Sequence, residues 1–239
     1  MTQKNQGYAQ FCPVAVTAEV ICTRWTPLIL SAFFCGATKF SEIQKRAPAM
    51  SSAILAHRLR ELIAANIIAE VASQGKNKQY RLTLAGEALF PILENMGDWA
   101  QTWLRRDIVQ HKNLDPDILF WEIRQLNVAK QDSIKKRRVA KFLVNGVPSA
   151  RQCYWLMFEP DNTEICVSDP GHDVDIWITA HITTLVKIWL GHIKLSTALE
   201  NGDMQLDGSP QEILAFSDWF SLSHFSAKAL QELEVAATN

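Results

Sequence analysis

The sequence predicts an α+β chain of two unlike halves. The N-terminal half is helical and ends in a short hairpin. The C-terminal half mixes short strands, in a mostly antiparallel sheet, with helices. Three observations carry this. Residues 40–62 place apolar side chains at helical spacing on both sides of Pro48. Two strand-like runs flank Gln74-Gly75-Lys76-Asn77. From Val139 onward, short β-rich runs are separated by turn signals at Asn145-Gly146, Pro160-Asp161-Asn162 and Asp169-Pro170-Gly171.

Bulk properties set limits. The 239 residues are 48% apolar, enough for real cores and too apolar for a disordered chain. The net charge is −1, but it is unevenly spread. Residues 1–110 hold 12 Lys and Arg against 8 Asp and Glu, a balance of +4; residues 111–239 hold 12 against 17, a balance of −5. A nucleic-acid contact therefore belongs to the first half. The start lacks the apolar core of a signal peptide, and the run from Leu28 to Ala37 is too short to cross a bilayer, so a cytoplasmic protein with no membrane partner is expected. The five cysteines (Cys12, Cys22, Cys35, Cys153, Cys166) are widely spaced and form no zinc pattern with histidine; most are expected as reduced thiols in apolar packing.

In chain order, Cys12-Pro13 opens a first helix, with Val16, Val20 and Cys22 as its apolar side. A second begins at Arg24-Trp25-Thr26-Pro27, buries Leu28, Ile29, Leu30 and Phe33, and ends at Gly36. Phe40 and Ile43 give the third an apolar side, and Pro48 stops it. Ser51 stands where an N-cap belongs, and a strong helical run follows. On a wheel of about 100° per residue, Leu55, Leu59 and Leu62 share one stripe. Ala53, Ala56, His57, Arg60 and Ala64 fall on the other side, a small and weakly basic face that suits a major groove.

The hairpin follows, with Lys76 and Lys78 near its tip, Arg81 on the returning strand, and Tyr80 and Leu82 pointing inward. Such a hairpin after a reading helix is a wing, and its lysines are placed for phosphates. Thr83 caps a further long helix, on which Ile92, Met96, Trp99 and Trp103 form an apolar stripe expected to be a dimer seam, the alternative being packing onto the second domain of the same chain.

Cys12-Pro13-Val14, Trp25, Lys39-Phe40-Ser41-Glu42-Ile43, Ser51, Leu55, Arg58-Leu59-Arg60-Glu61-Leu62, Tyr80-Arg81-Leu82-Thr83 and Gly86 run in one unbroken order over residues 10–105. In this the chain resembles the HxlR-type winged helix-turn-helix regulators. It departs from them at Thr23-Arg24, where the family usually has Gly-Lys, and in a shorter wing without the usual proline. The resemblance implies a homodimer that binds an inverted-repeat operator in double-stranded DNA. Residues 1–110 are the DNA-binding and dimerisation domain on this reading. Ser51 caps the recognition helix; Ser52, Ala53, His57 and Arg60 lie nearest the bases; Arg58, Lys76 and Lys78 contact the backbone. The resemblance also puts Cys12 where several members carry a redox-sensing cysteine.

Beyond the polar linker His111–Asp117, residues 118–128 read as an amphipathic helix, and Lys135-Lys136-Arg137-Arg138 as a solvated edge or loop. Strand-like runs at 139–144, 152–158, 164–168 and 174–179 suggest an antiparallel meander. Helices at 183–190 and 195–200, a strand at 204–206 and a last helix from Pro210 to about Phe220 complete the pattern.

Asp169-Pro170-Gly171, Asp173-Val174-Asp175, Trp189-Leu190-Gly191, Ala198–Gly202 and Leu206-Asp207-Gly208 make residues 115–230 similar to a sterol-carrier-protein-like (SCP2-type) domain. That resemblance implies a small apolar ligand in a pocket lined by some of Phe142, Trp155, Met157, Trp177, Leu185, Ile188 and Trp189; the alternative is that these residues form a filled core serving dimerisation or domain packing. No histidine shows metal-ligand spacing, no cofactor motif is present, and no nucleophile elbow, phosphate loop or Rossmann glycine run points to catalysis. The expected function is therefore transcription regulation by a non-enzyme. The alternative is an apolar-ligand carrier whose helix-turn-helix half serves dimerisation.

Overall fold

A computed structural model describes residues 7–71, 78–110, 112, 114–128, 137–159 and 162–238. The chain forms two compact units, Met1–Glu94 and Asn95–Asn239. The division falls inside a helix, upstream of the polar segment at 111–117.

The first unit begins with α1 (Pro13–Ile21) and α2 (Thr26–Phe34). The apolar side expected of α1 is not buried. Ile21 alone is buried there, Val16 is exposed, and Cys22 lies beyond the helix end and is exposed. A nine-residue helix touches its neighbours along one line, and Ile21 occupies it. Among the described residues all five cysteines are free thiols, and the other four are half-buried. Ile29, Leu30 and Phe33 of α2 are buried as expected, and the helix gives way at Gly36, whose φ is +86°.

Next come α3 (Phe40–Arg46), α4 (Ser52–Ala64) and the antiparallel pair β1 (Ile68–Val71) and β2 (Gln79–Leu82), in which Ile68 faces Leu82 and Val71 faces Gln79. Thr83 accepts a hydrogen bond from the Gly86 amide at 3.2 Å, but the helix it caps is only α5 (Leu84–Glu87). The expected long helix is broken before α6 (Phe90–Trp103), which crosses from one unit to the other.

The second unit contains α7 (Arg105–Ile108), α8 (Pro116–Val128), β3 (Arg138–Asn145), β4 (Cys153–Glu159), β5 (Asn162–Cys166), β6 (Ile176–His181), α9 (Ile182–Trp189), α10 (Leu195–Glu200), β7 (Met204–Gly208), α11 (Pro210–Trp219) and α12 (Ser226–Thr238). The sheet order is β5-β4-β3-β6-β7. Three pairings are antiparallel, but β3 and β6 run parallel, so the sheet is mixed and not a meander. The last helix expected was α11, yet α12 follows it.

Pairing and alternation assign the two faces of this sheet. Phe142 sits between Tyr154 and Ile178 on the face that packs against Leu119, Phe120 and Ile123 of α8, Leu185, Ile188 and Trp189 of α9, and Phe216 of α11. Phe120 stacks on Tyr154 with centroids 4.2 Å apart and meets Phe142 edge-on at 5.0 Å. The opposite face carries the row Cys166, Trp155, Lys141, Trp177 and Asp207. There the Lys141 ammonium lies 4.9 Å from the Trp155 ring centre and 4.5 Å from that of Trp177.

The seven pocket candidates divide between these two faces. Phe142, Leu185, Ile188 and Trp189 belong to the filled main core. Trp155 and Met157 form a separate cluster with Val139 on the other face, and Trp177 is 45% exposed. A pocket lined by some of them would draw on one face of the sheet only.

One glycine has a required role. Gly191 ends α9 with φ +73°, and a Cβ there would lie 2.6 Å from the Ser226 carbonyl oxygen. The backbone of the α12 start approaches too closely for any side chain.

Candidate nucleic-acid interface

The candidate interface is built from α3, α4 and the β1–β2 hairpin, all in the first unit. Glu42 accepts from the amides of Thr38 (2.9 Å) and Lys39 (3.0 Å), which satisfies two donors at the start of α3. The Gln44 side-chain amide donates to the carbonyls of Ala47 (3.3 Å) and Met50, and so closes the turn between the two helices. Ala47 and Met50 are buried beneath it.

Ser51 accepts from the Ile54 amide at 3.3 Å and caps α4. Replacement by alanine removes that acceptor; Ser51→Ala is expected to lower stability by about 1 kcal/mol, read as a shift in the urea midpoint with unchanged slope. Leu55, Leu59 and Leu62 are 0%, 2% and 3% exposed, so the stripe legible in the sequence anchors the helix. Leaving α4, Asn66 takes φ +56°, a conformation asparagine tolerates at a helix end.

The outward residues fare differently. Ser52, Ala53, His57 and Arg60 are exposed, and Arg60 has no ion-pair partner among the described residues. Arg58 is half-buried and held by Glu61, with Nη1 2.5 Å from Oε2. His57 Nε2 lies 3.2 Å from the same carboxylate. Glu61 is thus a part of this face that the sequence reading did not weigh, although its spacing of three and four residues signalled it. Any anion that engages Arg58 competes with Glu61. Ile54, 41% exposed, was also missed.

In the hairpin, Tyr80 is buried and Arg81 exposed, as the alternation implied. The Tyr80 amide donates to the Thr38 carbonyl at 2.8 Å, which ties the hairpin to the start of α3. Lys78 pairs with Glu70 across the strands at 2.9 Å; this hydrogen bond, then the carboxylate's charge, holds the ammonium pKa above its ordinary value. Lys76 lies outside the described residues. Cys12 is the half-buried N-cap residue of α1 and makes no side-chain capping bond.

A stapled two-helix turn with a capped second helix, followed by an antiparallel hairpin, defines a winged helix-turn-helix protein. Residues 20–108 match the family described as HxlR-like helix-turn-helix. The HTH-type transcriptional regulator YvaP of Bacillus subtilis (strain 168) is 31% identical over 99 residues, 40% of this chain and 92% of its own. YybR of the same organism, another HTH-type transcriptional regulator, is 32% identical over 114 residues, 46% of this chain and 90% of its own. Among solved structures, the reduced form of the transcriptional regulator YodB from B. subtilis aligns at 30% identity over 39% of this chain and 95% of its own, with a TM-score of 0.35. Through this first part, the chain belongs to the HxlR-like helix-turn-helix family of transcriptional regulators.

Proposed function

We propose that the protein is a homodimeric transcription regulator that sets one α4 helix into each major groove of an inverted-repeat operator. The observation that carries this is the outward face of α4. It is exposed and small, and its one cation without an ion-pair partner among the described residues is Arg60. On this reading Ser52, Ala53, His57 and Arg60 face the bases, with Arg60 suited to a bidentate guanine contact. Lys76, Lys78 and Arg58 contact backbone phosphates, Lys78 and Arg58 by exchanging their glutamate partners.

The dimer seam belongs to the same proposal. Ile92, Met96, Trp99 and Trp103 of α6 are 40%, 46%, 56% and 71% exposed, a row of apolar surface that water disfavours. Two-fold pairing would place half-sites about one helical turn apart. Residues 1–110 bind DNA and dimerise; residues 115–230 form an SCP2-like regulatory domain. An effector there would use those of the seven candidates that share one face of the sheet. Cys12 is the candidate thiol for redox control. An adduct at Cys12 after diamide treatment, found by mass spectrometry together with altered operator affinity, is the outcome that role requires.

The test is a pair of variants. Arg60→Ala is expected to weaken specific binding by about 1–3 kcal/mol and relax one base position, whereas Lys78→Ala weakens all sequences alike and lowers the salt slope. Equal loss by Arg60→Ala on specific and random DNA would show that Arg60 reads no base.

A further inference from the structure

Resting on the regulator reading above, we propose that Ile54, with Ala53 beside it, reads the C5 methyl of one thymine in each half-site, while Arg24 grips a neighbouring phosphate. At the start of α4 the surface has an open depression of about 600 Å³, lined by Arg24, Trp25, Ala49, Ala53, Ile54 and His57 among others. Ala49, Ala53 and Ile54 give it an apolar part beside His57 and Arg58: Ala49 and Ala53 are exposed, and Ile54 keeps 41% of its surface in water.

Two features fix the geometry. The Ile54 amide is committed to the Ser51 cap, so the backbone cannot turn the side chain away. Isoleucine is branched at Cβ and holds one preferred rotamer in a helix. The patch is therefore presented rigidly at the end of the helix that enters the groove.

The chemistry then selects the occupant. Hydrogen-bonding atoms of base edges gain nothing from Ile54, because it can neither donate nor accept. The thymine methyl is the one apolar group that the major groove displays. Arg24 adds a cation to the same depression. Trp25 sits at the N-cap of α2 with φ +78°, a conformation rare for so bulky a residue. This turn brings the exposed Arg24 guanidinium over the indole, 4.9 Å from the ring centre. Stacking of this kind occupies the flat face of a guanidinium and leaves its in-plane donors for a phosphate.

The experiment uses the full-length protein and a random duplex library. Selected duplexes are resynthesised with deoxyuridine in place of each thymine in turn, which deletes only the methyl. The wild type is expected to lose about fourfold in affinity per half-site at one position, the effect of one methyl left unburied. Ile54→Ala should bind the thymine duplex as weakly as the wild type binds the deoxyuridine one, and should no longer distinguish the two. Ile54→Val should keep most of the preference. Thermal melting confirms that both variants fold, as the exposure of Ile54 leads one to expect. If Ile54→Ala still discriminates as the wild type does, or if no thymine matters to the wild type, the methyl contact is wrong while DNA binding stands. If the library yields no enriched duplex, the regulator reading fails and this inference with it.

Discussion

Replacing Phe120 by alanine is expected to cost about 3–5 kcal/mol of stability, the range for removing a buried aromatic side chain and leaving a partly collapsed cavity. Phe120 is fully buried and is the point where α8 meets the sheet. It stacks on Tyr154, meets Phe142 edge-on, and is in the same cluster as Phe216 and Phe220. The neighbourhood leaves few ways to close the gap. The Tyr154 hydroxyl is tied to Asp117 at 2.6 Å, and Arg151 engages both Asp115 and Asp117. Tyr154 cannot tilt into the space without giving up that bond, which is half-buried. Urea unfolding followed by tryptophan fluorescence checks this. Phe120→Ala should lower the midpoint sharply, and Phe120→Leu much less. A loss under about 1 kcal/mol for alanine would mean that α8 is not part of this core.

Acidification is expected to remove about 3 kcal/mol of stability between pH 6.5 and about 4 through His192 alone, at 1.36 kcal/mol for each pH step. His192 is 7% exposed, and its Nε2 lies 2.5 Å from Gln101 Oε1. The Gln101 amide in turn donates to the Leu190 carbonyl at 3.2 Å, so the neutral ring with its proton on Nε2 completes the bonding. Burial foremost, then the positive charges of Arg105 and Lys187, push the imidazole pKa down from 6.5 to about 4. The unfolded chain therefore takes up this proton at a higher pH than the folded one. The stabilisation is complete above pH 6.5, falls as the pH drops below it, and levels off near pH 4. Other groups titrate in the same window, so the readout is a difference. The stability of wild type minus His192→Gln, measured by urea unfolding, should decline with falling pH over this range. A difference that stays flat would show that the ring protonates freely in the folded chain.

The particular residues show why parts of the structure were legible and parts were not. Leu55, Leu59 and Leu62 gave the buried side of α4 because three leucines at helical spacing have one simple explanation, and Ser51 marked its start. Periodicity says which way a side chain points, not which element it meets. The alternation in β3 and β6 showed two strands but not that they run parallel and side by side. The two groups of pocket candidates could not be told apart for the same reason. Without the register that pairs Lys141 with both Trp155 and Trp177, nothing in the sequence separates that row from the Phe142 face. On α4, helical spacing separates inner from outer residues but does not single out Ile54, which lies on the flank between them. Nor does it single out Glu61, whose hold on His57 and Arg58 changes what those residues offer. The end of α5 at Glu87 is signalled by Gly86 and by Pro91, which stands in the first turn of α6, but the apolar spacing from Ile92 to Trp103 outweighed both signals.

The central claim is that α4 reads DNA in a dimer. Its most direct test is a mobility shift of the full-length protein against the DNA upstream of its own gene, at several salt concentrations, beside a scrambled duplex of equal length. The expected shift saturates at two protomers per site, survives competition by the scrambled duplex, and weakens as salt rises. No preference for the upstream duplex at any salt, with a lipid found bound by native mass spectrometry, would contradict it and favour a carrier protein.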